Sequence, residues 1–151
     1  MVENAEKTNF TSKMTNNFSD RRKHKRYDLH IKFYAESING SFKNFSVETI
    51  NLSERGAFIK IPEDIELFER FRGILKIPEN LKNQDIFSEI FFEGIIIRKE
   101  IRIAENNKEY YAGIYFEKIG DGELSAIRNF LKKFGEKNFL TKIFGLWFKG
   151  K

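Results

Sequence analysis

The chain of 151 residues has no cysteine, which excludes disulfides, thiol catalysis and cysteine-ligated zinc and fits a reducing cytoplasm. Histidine is almost as scarce. The two present, His24 and His30, are too few for a His-based metal site, and both read as bystanders, although His24 is placed to stack or to touch phosphate. No apolar run reaches the length of a membrane span, and the first 20 residues, rich in Asn, Thr, Ser and Glu, lack the apolar stretch of a signal peptide. The chain also lacks a phosphate-cradling Gly loop followed by Lys-Ser/Thr and a Gly-x-Ser-x-Gly elbow. Asp121-Gly122-Glu123 lacks the alternating oxygen ligands of a calcium loop. These gaps argue against an enzyme and against a bound metal or cofactor, and they lead us to expect a soluble cytoplasmic protein.

What is present is apolar mass and positive charge. Hydrophobic residues make up 40% of the chain and aromatics 15%, including 17 Phe, enough to offset the entropy of ordering one domain. Charged residues are 32% and the net charge is +5, a balance that favours anionic partners without choosing among nucleotides, nucleic acid and acidic lipid.

Residues 1–20 are polar and aperiodic and read as a flexible leader. From Tyr27 the pattern changes: Tyr27, Leu29, Ile31, Phe33 and Ala35 alternate with polar neighbours, the period of a half-buried strand. Ile38-Asn39-Gly40 is a turn. On the return strand, Phe42 to Leu52, the apolar parity switches from Phe45 and Val47 to Ile50 and Leu52, which predicts a β-bulge near Glu48 or Thr49. A short loop ending in Gly40 then pairs Phe33 with Phe45 and Ile31 with Val47. Beyond one extra residue on the return strand, Leu29 faces Ile50, Tyr27 faces Leu52, and Arg26 lies opposite Ser53.

Further strands are expected over Ala57 to Ile61, Phe71 to Ile77, Ile90 to Arg98 and Tyr110 to Glu117, separated by segments containing Pro62, Pro78 and Asn106-Asn107. About six short strands suggest an antiparallel barrel. Asp121 can then cap a helix whose Leu124, Ile127, Leu131 and Phe134 recur at helical spacing and pack on that barrel. The fold class is therefore all-β with a C-terminal helix, over residues 21–134. Residues 135–151 form a separate amphipathic aromatic helix in this reading.

Two short strings carry the functional signal. Arg21-Arg22-Lys23-His24-Lys25-Arg26 offers forked guanidinium donors, suited to phosphate oxygens and to the O6/N7 edge of guanine. Asn51-Leu52-Ser53-Glu54-Arg55-Gly56 is a compact polar turn whose Gly lets backbone approach a flat ligand. Alone, the first is a solvated basic tail or a nucleic-acid arm, and the second an ordinary turn. The hairpin arithmetic puts both at one mouth.

Arg-Arg-x-x-x-Arg before a first barrel strand, followed by Asn-x-Ser-x-x-Gly-Ala-Phe-Ile after the second, resembles the PilZ family of bacterial cyclic di-GMP receptors. The likeness continues through Ala112-Gly113-Ile114-Tyr115-Phe116 and the following helix. It implies a six-stranded antiparallel PilZ-like barrel with the dinucleotide at its mouth. By motif position Arg22 and Arg26 hold phosphates and guanine edges, while Asn51, Ser53 and Gly56 fill the second motif, where Asp more often stands first. Arg21 resembles the residue of members that bind a stacked ligand dimer. Arg98, at a strand end, is a secondary ligand contact.

The resemblance implies a second-messenger receptor that binds cyclic di-GMP, orders its basic segment and signals to an effector protein. The alternative is a non-binding PilZ-like scaffold in motility or secretion machinery, and nonspecific nucleic-acid binding ranks below both. Residues 137–151 either cover one end of the barrel or contact a partner or membrane surface, with Phe144, Trp147 and Phe148 inserted and Lys142 and Lys149 near acidic headgroups.

Overall fold

The computed structural model describes residues 24–79 and 86–149, with side chains as far as residue 135. Arg21, Arg22, the leader and the side chains of the aromatic tail lie outside the described residues. The strands are β1 (Tyr27–Asp28), β2 (Lys32–Ser37), β3 (Phe45–Leu52), β4 (Gly56–Ile61), β5 (Arg70–Pro78), β6 (Phe87–Ala104) and β7 (Asn107–Ile119), followed by the helix α1 (Asp121–Lys149). Strands β3, β2, β5, β6, β7 and β4 pair antiparallel in that order, and β4 returns to β3. The result is a closed six-stranded barrel, with β1 pairing on β3 just beyond β2.

Strand alternation fills this barrel with aromatics. Phe33, Phe71, Phe92 and Phe116 are buried, and their ring centroids lie 4.5 Å (Phe92–Phe116) to 6.2 Å (Phe71–Phe92) apart in tilted or edge contacts. Such pairs contribute beyond their buried area. Helix α1 starts with Asp121 and Glu123 in its first turn, where carboxylates suit the helix dipole. It sends Ile127, Phe130 and Leu131 into the core, and Phe134 meets Tyr27 edge-on at 6.2 Å. Its backbone runs unbroken to Lys149. Among the described residues, no helix is long and apolar enough to cross a membrane.

The first hairpin corrects two expectations. Phe33 pairs with Val47 and Ala35 with Phe45, two residues from the expected register, although Tyr27 does face Leu52. The cause is Phe42. It is 7% exposed and packs on Phe45 and Phe71, so it plugs the barrel instead of extending β3. The loop widens accordingly, held by Ser37 N donating to Asn44 Oδ1 (3.0 Å) and Ser41 N donating to Asn39 Oδ1 (3.0 Å), with Gly40 at φ 76°.

The extra residue between Lys32↔Glu48 and Asp28↔Asn51 lies on the first strand, not the return strand. The expected β3 bulge exists as well, but against β4, where the register shifts between Thr49 and Asn51. Thr49, not Ile50, is the inward residue. It is fully buried, and its Oγ1 donates to Leu29 O (2.5 Å) while accepting from Ile31 N (2.9 Å). Thr49 N donates to Ile31 O (2.9 Å). One side chain thus satisfies the backbone groups freed where β1 breaks from β2.

Strands β6 and β7 outrun the barrel. Past Ile61↔Tyr110 they continue alone to Ala104↔Asn107, closed by Glu105 and Asn106 at φ 50° and 70°, the two positive values that a type I′ turn requires.

Thr49→Val keeps the shape and strands a buried carbonyl and amide, so it should destabilise the fold by about 1–3 kcal/mol. Urea unfolding would register this as a lower midpoint at unchanged slope; a midpoint equal to that of the parent would refute the splice.

Candidate functional site

The β1–β3 pairing carries Arg26 to the side of Ser53. Ser53 is 8% exposed, one of two buried polar side chains among the described residues. Its N donates to Gly56 O (2.8 Å), and its Oγ donates to the same oxygen (3.2 Å) while accepting from Arg55 N (3.4 Å). The turn is therefore held by its own hydrogen bonds. Gly56 is required by packing, because a Cβ there would run into the carbonyl oxygen of Ile114 on β7.

Arg55 was not singled out by the sequence. Its carbonyl accepts from Phe116 N (2.9 Å), its Nη1 donates to Phe116 O (3.3 Å), and its guanidinium lies 5.8 Å from the Tyr115 ring. Arg98 arrives from β6 through a bulge at Ile97 that shifts the β6–β7 register; it faces Gly113 and stacks 5.0 Å from the Phe58 ring. The turn's own carboxylate, Glu54, is engaged by Arg128 Nε of α1 at 2.9 Å and lies 3.5 Å from His24 Nδ1.

Beside this turn lies a recess of about 210 Å³. Arg26, Arg55 and Arg98 line it with Ser53, Gly56 and Tyr115, and among the described residues no carboxylate does. Of the sequence candidates that are described, Arg26, Ser53, Gly56 and Arg98 meet here. Asn51 does not line the recess: it sits on β3 between Asp28 and Phe58. Tyr115, 38% exposed, was legible only as the outward member of the Ile114-Tyr115-Phe116 alternation.

A second cavity, about 700 Å³, is larger. It is lined by Glu36, Glu93 and Glu123 against Arg72 and Lys118, so its fixed charge disfavours anions. Of these two, the smaller recess has the lining charge suited to an anion.

Beside the recess the outer face carries an aromatic platform. Phe58 and Tyr111 stack at 5.7 Å and 10°, with Arg102 4.1 Å from the Tyr111 ring. The hydrogen bond from Lys60 Nζ (2.9 Å), aided by one from Tyr111 Oη (3.2 Å), holds the Glu109 carboxyl below the ordinary carboxylate range. The hydrogen bond to Glu100 holds Arg102 above its usual value.

The sequence profile of the PilZ domain matches residues 20–133. The chain belongs to the PilZ domain family. Solved structures agree in fold. The PilZ domain of YcgR from Escherichia coli with c-di-GMP has a TM-score of 0.55 at 12% identity, covering 79% of this chain and 98% of that one. The Bacillus subtilis inhibitor of motility MotI/DgrA reaches 0.61 at 16%, covering 78% and 53%. The MrkH–c-di-GMP complex of K. pneumonia reaches 0.56 at 14%, covering 86% and 56%. This PilZ chain thus spans about half the length of the MotI and MrkH chains it matches. A comparison with curated proteins finds no match.

Because a backbone oxygen cannot step aside as a side chain can, Gly56→Ala should force β4 from β7 at about 1–3 kcal/mol. Thermal unfolding would show it as a lower Tm, and an unchanged Tm would mean that the close approach is relaxed at no cost.

Proposed function

We propose that this PilZ domain is a receptor for cyclic di-GMP, seated over the Arg26–Arg55–Arg98 recess. One observation carries the reading: three guanidinium groups and a satisfied polar turn line a recess that no carboxylate of the described residues lines. Guanidinium forks suit both ligand features, phosphate oxygens and the O6/N7 edge of guanine, and the Tyr115 ring offers a face for a base.

The recess, at about 210 Å³, is smaller than the roughly 300–1,000 Å³ of pockets that engulf a drug-sized ligand. The dinucleotide therefore needs a second wall, and the basic run supplies it. Five of the six residues from Arg21 to Arg26 are Arg or Lys and repel one another until phosphates neutralise them. Ordering such a segment costs on the order of 2–5 kcal/mol, and each bidentate Arg contributes roughly 1–3 kcal/mol of base discrimination, so the arginines act as a set. Arg21 provides for a second, stacked ligand. Asn51 lies outside the recess lining. The ordered run then forms the surface that an effector protein reads, since a switch needs a partner with different affinity for the two states. This is binding, not catalysis, and no cofactor takes part.

Calorimetry with cyclic di-GMP, using GTP and cyclic di-AMP as controls, tests the proposal. Arg22→Ala and Arg26→Ala should each weaken binding by at least roughly 10- to 150-fold, the equivalent of about 1.5–3 kcal/mol, with unchanged far-UV circular dichroism. An unaltered titration of either variant would remove that arginine from the site. A flat titration of the parent would leave the scaffold reading.

Ordering has its own readout. Saturating cyclic di-GMP should slow tryptic cleavage within residues 21–26 several-fold relative to cleavage elsewhere, as expected when an open segment is ordered by its ligand. Equal rates with and without ligand would dispose of the ordering step.

A further inference from the structure

The β6–β7 arm beyond the barrel has an open backbone edge, and the direction of each peptide group on it can be assigned. Phe116 N donates to Arg55 O, so Phe116 turns its backbone groups toward β4. In an antiparallel ladder that direction alternates. Ile114, Ala112 and Tyr110 therefore face β4, whereas Gly113, Tyr111 and Glu109 face β6, where their mates are Arg98, Glu100 and Arg102. Lys99, Ile101 and Ile103 must then turn N–H and C=O to the opposite edge. Ile96, on the barrel side of the bulge, already does so, exchanging bonds with Phe68 N (2.8 Å) and Glu69 O (3.1 Å).

Past Ile96 nothing among the described residues pairs with this edge. The β5 ladder stops at Arg70↔Ile95, and Asp64 reaches only the Lys99 ammonium. The side chains match an unfilled edge: Ile101 is 53% and Ile103 75% exposed, and Leu67, Phe68 and Ile97 are exposed at its root. An edge of this kind is a template for another strand.

We infer that this edge pairs with a second copy of the chain, antiparallel about a two-fold axis at Ile101. Hydrogen bonding requires Lys99, Ile101 and Ile103 to meet the same outward set, which an axis centred on any residue satisfies. A centre at Lys99 sets Lys99 against the partner's Lys99, a centre at Ile103 leaves only the turn end paired, and three centres remain between them. A centre at Glu100 sets Glu100 against the partner's Glu100 and Arg98 against the partner's Arg102. A centre at Arg102 sets Arg102 against the partner's Arg102. Like charges directly opposite are destabilising. The centre at Ile101 sets Glu100 against the partner's Arg102, twice by symmetry, and Ile101 against the partner's Ile101. The same register brings the partner's Glu105 turn to Ile97 beside Phe68, covering the exposed root. Isologous pairing of this kind closes on itself and ends at a dimer. It does not depend on the ligand reading.

The test is sedimentation velocity of the full chain over a concentration series, without nucleotide. The parent should shift toward twice its mass as concentration rises. Glu100→Arg and Arg102→Glu should each weaken self-association at least tenfold, because each creates like-charge pairs. An equimolar mixture of these two variants should regain the dimer, since one chain then carries two cations where the other carries two carboxylates. Ile103→Lys changes a side chain that is 75% exposed, leaves the fold intact, and should weaken association too, by setting two ammonium groups against each other. A parent that stays monomeric, variants that associate like the parent, or a mixture that stays monomeric would overturn the proposal.

Discussion

The Thr49 hydroxyl is the interaction on which the rest of the arrangement depends. Closing six strands into a small barrel forces β3 to serve β2 and β1 on one side and β4 on the other, and the tilt and stagger of closure cannot be taken up by straight ladders. The chain places two irregularities at one height, a break at residues 29–31 and a bulge at residue 50. Broken ladders leave buried amides and carbonyls unpaired, each costing about 1–3 kcal/mol. Thr49 offers a donor and an acceptor from one fully buried atom, bonded to Leu29 O and Ile31 N. With the break satisfied, β1 can resume pairing on β3, and Arg26 is delivered to Ser53.

Strand β3 and the residue that follows it carry both buried polar side chains found among the described residues, Thr49 and Ser53. Their tasks differ. Thr49 repairs the ladder, and Ser53 fixes the turn by bonding Gly56 O. A residue of the turn, Glu54, reaches α1 through Arg128, but both partners are partly exposed, and such pairs contribute little. The firmer link between the basic segment and the helix is Tyr27, set edge-on against Phe134. Apolar packing thus places the arginine, and hydrogen bonding shapes what it faces.

Much of this was legible in the sequence because period-2 alternation survives wherever one strand face is buried. The barrel and the meeting of Arg26 with Ser53 follow from it, and the helix face at Ile127 and Leu131 follows from the 3.6-residue period. The register near Gly40 was not legible. Nothing local says that Phe42 leaves the strand to plug the core, and Thr49 reads as a polar residue until both of its backbone partners are known. The β6 and β7 ends were missed for a related reason: Lys99 to Ala104 and Asn107 to Glu109 bury no core face, so no burial pattern marks them. At the site, Arg55 escaped because it stands between the motif's Ser and Gly, where position in the string conceals a side chain bonded to Phe116 O. Asn51 shows the reverse, since its place in the string does not bring it to the recess lining.

Charge, not volume, separates the recess beside Ser53 from the larger cavity beside Glu123. The cavity of about 700 Å³ is lined by three carboxylates and two cations, whereas the recess of about 210 Å³ has three guanidinium groups and, among the described residues, no carboxylate. For a dianionic ligand the Coulomb term decides, because at 4 Å and an effective dielectric of 20 one charge pair amounts to about 4 kcal/mol, more than a buried methylene contributes. The stacking of Arg98 on Phe58 and of Arg55 on Tyr115 bears on the same point. Aromatic faces hold these two guanidinium groups without a carboxylate partner among the described residues, so their charge is not neutralised even where Arg55 Nη1 donates to Phe116 O. A salt bridge would position them as well, but it would spend the charge on which the site depends.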